Sequence, residues 1–127
     1  MNEDFPADIK QFIADNIDTV AQLELLLLLR GHSGKQWTAE EAGKALYASA
    51  DVTALQMADL QQKRLLAPGT AAGTFVYRPE TNDVSLLVDR LADLYRERRV
   101  AVITAVYTKP IDKIKSFADA FRLRKEK

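Results

Sequence analysis

Five consecutive leucines, Leu25–Leu29, follow Leu23 and Glu24 and run into Arg30 and Gly31. A helix through them carries leucine on every side, so most of its circumference must be covered by other parts of the chain. That requirement makes this segment the expected central core helix. It is far shorter than the ~20 residues a membrane span needs, and so is the other mostly apolar run, Val100–Tyr107. The chain has 127 residues, 47% hydrophobic and 28% charged, which suits one soluble globular domain that buries about two-thirds of its unfolded surface. It contains no cysteine, which excludes disulfides and thiolate metal sites. The acidic start, Met1-Asn2-Glu3-Asp4, lacks the basic residues of a signal peptide. The expected setting is cytoplasmic.

The other elements are read around that helix. Pro6 opens an amphipathic segment whose Ile9, Phe12, Ile13 and Ile17 share one face. Asp18 is the expected cap of the leucine helix and Gly31 its stop. Thr38-Ala39-Glu40-Glu41 has the spacing of a capping box, with Trp37 placed as its hydrophobic staple. The short helix after it runs to about Ala48, with Ala42, Ala45 and Leu46 inward. After the turn 48–51, Asp51 is the expected cap of a helix over 52–65, with Thr53, Met57, Leu60 and Arg64 on its inner stripe. Leu65-Leu66-Ala67 and Thr74–Arg78 flank Pro68–Gly73 and read as a hairpin that Pro79 closes.

Asn82 or Asp83 is expected to cap one long helix, Asp83–Tyr107, whose apolar positions include Val84, Leu87, Leu91, Leu94 and Tyr95 and continue through Val102, Ile103 and Val106. Lys109-Pro110 ends it. A last helix, Ile111–Phe121, has Ile111, Ile114, Phe117, Ala118 and Phe121 on one side. Tyr47, Tyr77, Tyr95 and Tyr107 read as packing residues. The expected class is mainly α with a small β-hairpin, organised as a core over 1–82 and a C-terminal helical extension over 83–127 in one compact unit.

Helix, capped short helix, turn, second helix and hairpin is a layout that resembles a winged helix-turn-helix domain, over roughly residues 18–80. Thr38–Leu46 looks like the entry helix of that motif, and Leu60-Gln61-Gln62-Lys63-Arg64-Leu65-Leu66 resembles the end of its recognition helix, where the family often has Gly in place of Arg64. The chain is similar in layout to MarR-type and PadR-type bacterial regulators. It looks closer to a group of small bacterial winged-helix proteins in which phrases like Tyr95–Thr104 and Ser116–Arg122 recur without an assigned biochemical role. The resemblance implies a transcriptional regulator that binds duplex DNA through the helix 52–65 and the wing 66–79. The two C-terminal helices carry more apolar positions than a small core can cover, which suits a homodimer with Leu87, Leu91, Val102, Phe117 and Phe121 at the interface, or a monomer in which these helices fold back on Leu25–Leu29. Winged helices also serve as protein-docking modules, and that alternative stays open.

The residues divide between the two. Gln56 and Gln62 can pair with adenine edges, Lys63 and Arg78 can reach phosphate or a minor groove, and Thr38 stands at the entry of the motif. Against DNA stand Ala54, Ala58 and Asp59 on the recognition face, an uncharged wing tip and a net charge of zero. Leu55 beside Ala54 and Ala58 suits a protein partner better than a phosphate backbone. The zero total hides an asymmetry: residues 1–31 carry six acids and two bases, and residues 83–127 carry seven acids and eleven bases. Arg96, Arg98 and Arg99 can therefore form local ion pairs, meet an anionic partner, or pair with the acidic N-terminal helices.

No enzyme class is suggested. Gly31-His32-Ser33-Gly34-Lys35 lacks the first glycine of a phosphate loop, follows a helix, and is followed by Gln36 where Ser or Thr would hold magnesium. His32 is the sole histidine and has no acidic neighbour at metal-ligand spacing. No cofactor, metal or membrane partner is implied.

Overall fold

The computed structural model describes residues 5–108. Six helices and three short strands follow in the order α1 (Ala7–Asn16), α2 (Val20–Gly31), β1 (Trp37–Thr38), α3 (Ala39–Leu46), α4 (Ala50–Gln62), β2 (Leu66–Pro68), β3 (Thr74–Tyr77), α5 (Asn82–Glu97) and α6 (Arg99–Tyr107). The fold is mainly α with a three-stranded antiparallel sheet in the order β1-β3-β2, an arrangement compatible with a winged helix.

The leucine helix is the centre. Leu23, Leu25, Leu26 and Leu29 of α2 are all fully buried, each contributing about 2 kcal/mol of transfer free energy. Around them pack Ile9, Phe12, Ile13 and Ile17 from the first segment, Met57 and Leu60 from α4, and Val88, Leu91 and Tyr95 from α5. The inner stripe of α4 is Thr53, Met57 and Leu60, as expected, but Arg64 is exposed and leaves the stripe.

Three helix caps expected to be Asp or Asn are hydroxyls instead. Thr19 Oγ1 accepts from the Gln22 amide, Ser49 Oγ from Val52 and Thr81 Oγ1 from Val84, replacing Asp18, Asp51 and Asn82 or Asp83. Asp51 and Asp83 fall instead into the first turns of their helices, where a carboxylate meets the positive end of the helix dipole. The Thr38–Glu41 capping box is present in both directions.

Three further expectations change. Trp37 lies on a strand, paired with Phe75 and 7% exposed, so the hairpin gains a third strand. Two residues are too short a run to show an alternating pattern. The helix expected over Asp83–Tyr107 bends at Arg98 (φ −134°, ψ 57°). That bend falls just before the β-branched run Val100, Val102, Ile103 and Thr104, whose stiff side chains weaken helix propensity, and both halves contact α1. Leu91 and Val102, expected at a dimer interface, are fully buried inside the chain, and Leu87 packs half-buried against the same core. Phe117 and Phe121 lie outside the described residues.

The α3–α4 corner depends on close approach. A Cβ on Gly43 would stand 2.7 Å from the Ala48 carbonyl oxygen and 3.1 Å from Thr53 Oγ1. At the other end of α4, Arg64 has φ 65°, a left-handed conformation that costs a non-glycine residue about 1 kcal/mol. This accounts for glycine at that place in the proteins the motif resembles. In urea denaturation, Gly43→Ala should lower stability by about 1–3 kcal/mol. Arg64→Gly should raise it by up to about 1 kcal/mol, because the Arg64–Glu80 pair it removes is exposed.

Candidate functional site

The sequence of α4, Ala50–Gln62, contains no lysine or arginine. With Thr53, Met57 and Leu60 inward, the helical period turns Asp51, Leu55, Ala58 and Gln62 outward at i, i+4, i+7 and i+11. Leu55 is 74% exposed and Val52, one turn earlier, 51%. The crest of the helix is therefore one acid, one leucine, one alanine and one amide. Beside it, a shallow cleft of about 240 Å³ is bounded by Asp18, Thr19, Gln22, Leu55, Gln56 and Asp59.

A polar lock on α2 and α1 fixes this orientation. Gln22 is 2% exposed; its Nε2 donates to Asp59 Oδ2 at 2.7 Å, and its Oε1 accepts from the Asp18 amide at 2.8 Å. Lys63 Nζ donates to the same Asp59 oxygen at 2.8 Å and to the Asn16 carbonyl at 3.0 Å. The Lys63 ammonium, seconded by the Gln22 amide and opposed by partial burial, holds the Asp59 carboxyl below the usual carboxylate range.

Lys63, read from the sequence as a phosphate contact, is thus spent on closing α1 and α4 against each other. Its pairing with Asp59 follows from the i, i+4 spacing on one helix face, whereas its contact with Asn16, 47 residues upstream, needs the fold to bring the two together. Thr38 Oγ1 is engaged in capping α3, and Gln56 is half-buried in the cleft wall. Gln62 and Arg78 stand exposed, Gln62 on the crest and Arg78 just after β3.

The β2–β3 turn is held down by the residue just before β1. Gln36 donates from Nε2 to Thr70 Oγ1 at 2.8 Å, and its Oε1 accepts from the Ala71 amide and the Thr74 hydroxyl, both at 3.1 Å. Its tip, Gly69–Gly73, carries no charge.

Tyr47, expected to pack, is 98% exposed and left-handed at φ 58°. It ends the two-turn α3, which puts its ring beyond the core. Tyr107 is likewise exposed, at 68%. Tyr77 and Tyr95 do pack, and burial first of all, reinforced by Asp89 and Glu24 respectively, pushes both up to about 12.

Among the described residues, Arg90, Arg96 and Arg99 answer acids of the same chain. Arg90 grips Asp8 through two nitrogens at 2.7 and 3.2 Å. Arg99 reaches Glu24 at 3.1 Å while its guanidinium lies 4.6 Å from the centre of the Tyr95 ring. Arg96 pairs locally with Asp93. Pairing with the N-terminal helices, left open by the sequence, accounts for Arg90 and Arg99.

Among the described residues, no group of three His, Asp or Glu side chains could hold a metal ion, and no helix is long and apolar enough to cross a membrane. Comparison with protein-family models, with curated proteins and with solved structures returns no match to this chain.

The lock predicts a defined acid response. A carboxyl held below its unfolded value of about 3.9 contributes stability that is complete above that pH and lost as pH falls through its folded value. In acid titrations followed by circular dichroism, Asp59→Asn should flatten the part of the stability loss that occurs below about pH 4. Lys63→Ala should cost about 1–2 kcal/mol at neutral pH.

Proposed function

We propose that the chain is a winged-helix module that docks a protein partner on the outward crest of α4. The observation that carries this reading is the chemistry of that crest. A helix that enters a major groove meets phosphates on both sides and needs cations to offset them. Here α4 has none, and Lys63 at its end is tied to Asp59 and Asn16.

What the crest offers is Leu55 and Val52 beside Ala54 and Ala58, with Asp51 at one end and the carboxylates of Asp18 and Asp59 along the cleft. An exposed leucine beside small residues makes an apolar patch that a protein surface can cover and a phosphate backbone cannot. Asp51, exposed at the start of the crest, suits a lysine or arginine on the partner at the rim of that patch. The homodimer expected from the sequence loses part of its support, because Leu91 and Val102 are used inside the chain.

The second reading is a transcriptional regulator that binds duplex DNA through α4 and the wing. It is favoured by the exposure of Gln62 and Arg78 on the two elements that such a domain presents to DNA.

Recovery of a partner from cell extract by the immobilised protein separates the two. Leu55→Asp leaves the core untouched and should reduce partner recovery at least about tenfold, a loss near 1.4 kcal/mol. Arg78→Ala should leave recovery unchanged. Recovery that survives Leu55→Asp, or is lost with Arg78→Ala, would contradict docking on α4.

A further inference from the structure

A second concave surface lies between the start of α1 and one side of α6, away from α4. It is an open groove of about 350 Å³, within the size range of small-molecule sites. Its apolar walls are Phe5, Val100, Ala101 and Ala105, and Thr104 and Thr108 add two hydroxyls. Its charged walls are Lys10 and Arg98, and among the described residues no acid lines it. We propose that the groove binds a small anionic amphiphile, a carboxylate carried on a short hydrocarbon chain. The carboxylate lies against Lys10 and Arg98, and the chain runs along Val100, Ala101 and Ala105.

Charge selects the anion. Lys10 is exposed and, among the described residues, pairs with no acid, unlike Arg90, Arg96 and Arg99. A carboxylate accepts strong, charge-assisted hydrogen bonds from ammonium and guanidinium groups alike. The walls select the chain. Val100 is 77% exposed, apolar area that a hydrocarbon withdraws from water and a bare anion leaves wet. The two demands meet at one place, because the Arg98 guanidinium lies 5.9 Å from the centre of the Phe5 ring. A second copy is a poorer occupant. A twofold interface sets the same patch on both chains, so Lys10 and Arg98 of one would face Lys10 and Arg98 of the other.

The proposal is independent of the docking reading, because no residue of α4 takes part. Its test is titration of the isotope-labelled full chain with sodium octanoate at neutral pH, read on backbone amides. Saturable shifts are expected at Ala101, Thr104 and Ala105, with those of Leu55 and Ala58 unmoved. Affinity should rise about two- to fourfold per methylene from hexanoate to decanoate. Octylammonium and inorganic phosphate should each bind at least about tenfold more weakly than octanoate. Lys10→Glu, at an exposed position, should weaken octanoate about fivefold, while Lys44→Glu, outside the groove, should not. Unmoved α6 amides would overturn the proposal. So would octylammonium binding as tightly as octanoate, or shifts of the α6 amides with protein concentration alone, which would place a second copy in the groove.

Discussion

The burial of α2 constrains everything else in this molecule. A helix with leucine all round has no face to give to solvent, so α1, α3, α4, α5 and the sheet must be arranged to enclose it. Leu25, Leu26 and Leu29 are fully covered, and replacing any one by alanine would remove about 2–5 kcal/mol from a domain of this size. The same helix carries Gln22, a polar residue almost without exposure, whose amide is satisfied on both atoms. A buried amide with both atoms paired fixes a geometry, because each lost partner leaves an unmade hydrogen bond in the interior. The hydrophobic clamp brings α4 to α2, and the Gln22–Asp59–Lys63 lock sets which side of α4 is turned outward.

That arrangement decides the electrostatics of the exposed helix. Chain charge sums to zero, but the distribution matters more than the sum. Among the described residues, four cations are paired with acids of the same chain: Lys63 with Asp59, Arg90 with Asp8, Arg99 with Glu24 and Arg30 with Asp89. Each exposed pair is worth little to stability, about 0–1 kcal/mol. Their larger consequence is that opposite charges cancel close to the surface, which leaves the crest of α4 apolar and faintly acidic.

Much of this fold was legible because local signals agreed. The capping box at Thr38, the stripe Thr53, Met57 and Leu60, and the glycine-rich turn between two β-prone runs each needed only neighbouring residues to be read. What escaped depended on distant partners or on very short elements. Trp37 and Thr38 form a strand only because β3 lies alongside. The bend at Arg98 falls where the charged run Arg96–Arg99 interrupts the apolar period, and the period's return at Val102 and Val106 makes the two halves read as one helix. Leu91 and Val102 have the spacing of an interface seam, yet that spacing says only that they are buried, not against what. At the candidate site, α4 and its outward residues could be placed from the sequence, whereas the contact of Lys63 with Asn16 and the burial of Gln22 against Asp59 could not.

The central claim is that the outward face of α4 is unsuited to phosphate, and titration of the full chain with duplex DNA at two salt concentrations tests it most directly. Each phosphate neutralised by the protein contributes about −0.9 to the slope of log affinity against log salt. The account predicts no retention of DNA even at low salt, or weak retention that Arg78→Ala and Gln62→Ala leave unchanged. Tight retention of particular sequences, with a slope of several units that falls by about one in Arg78→Ala, would contradict it and restore α4 and the wing as a DNA-reading surface.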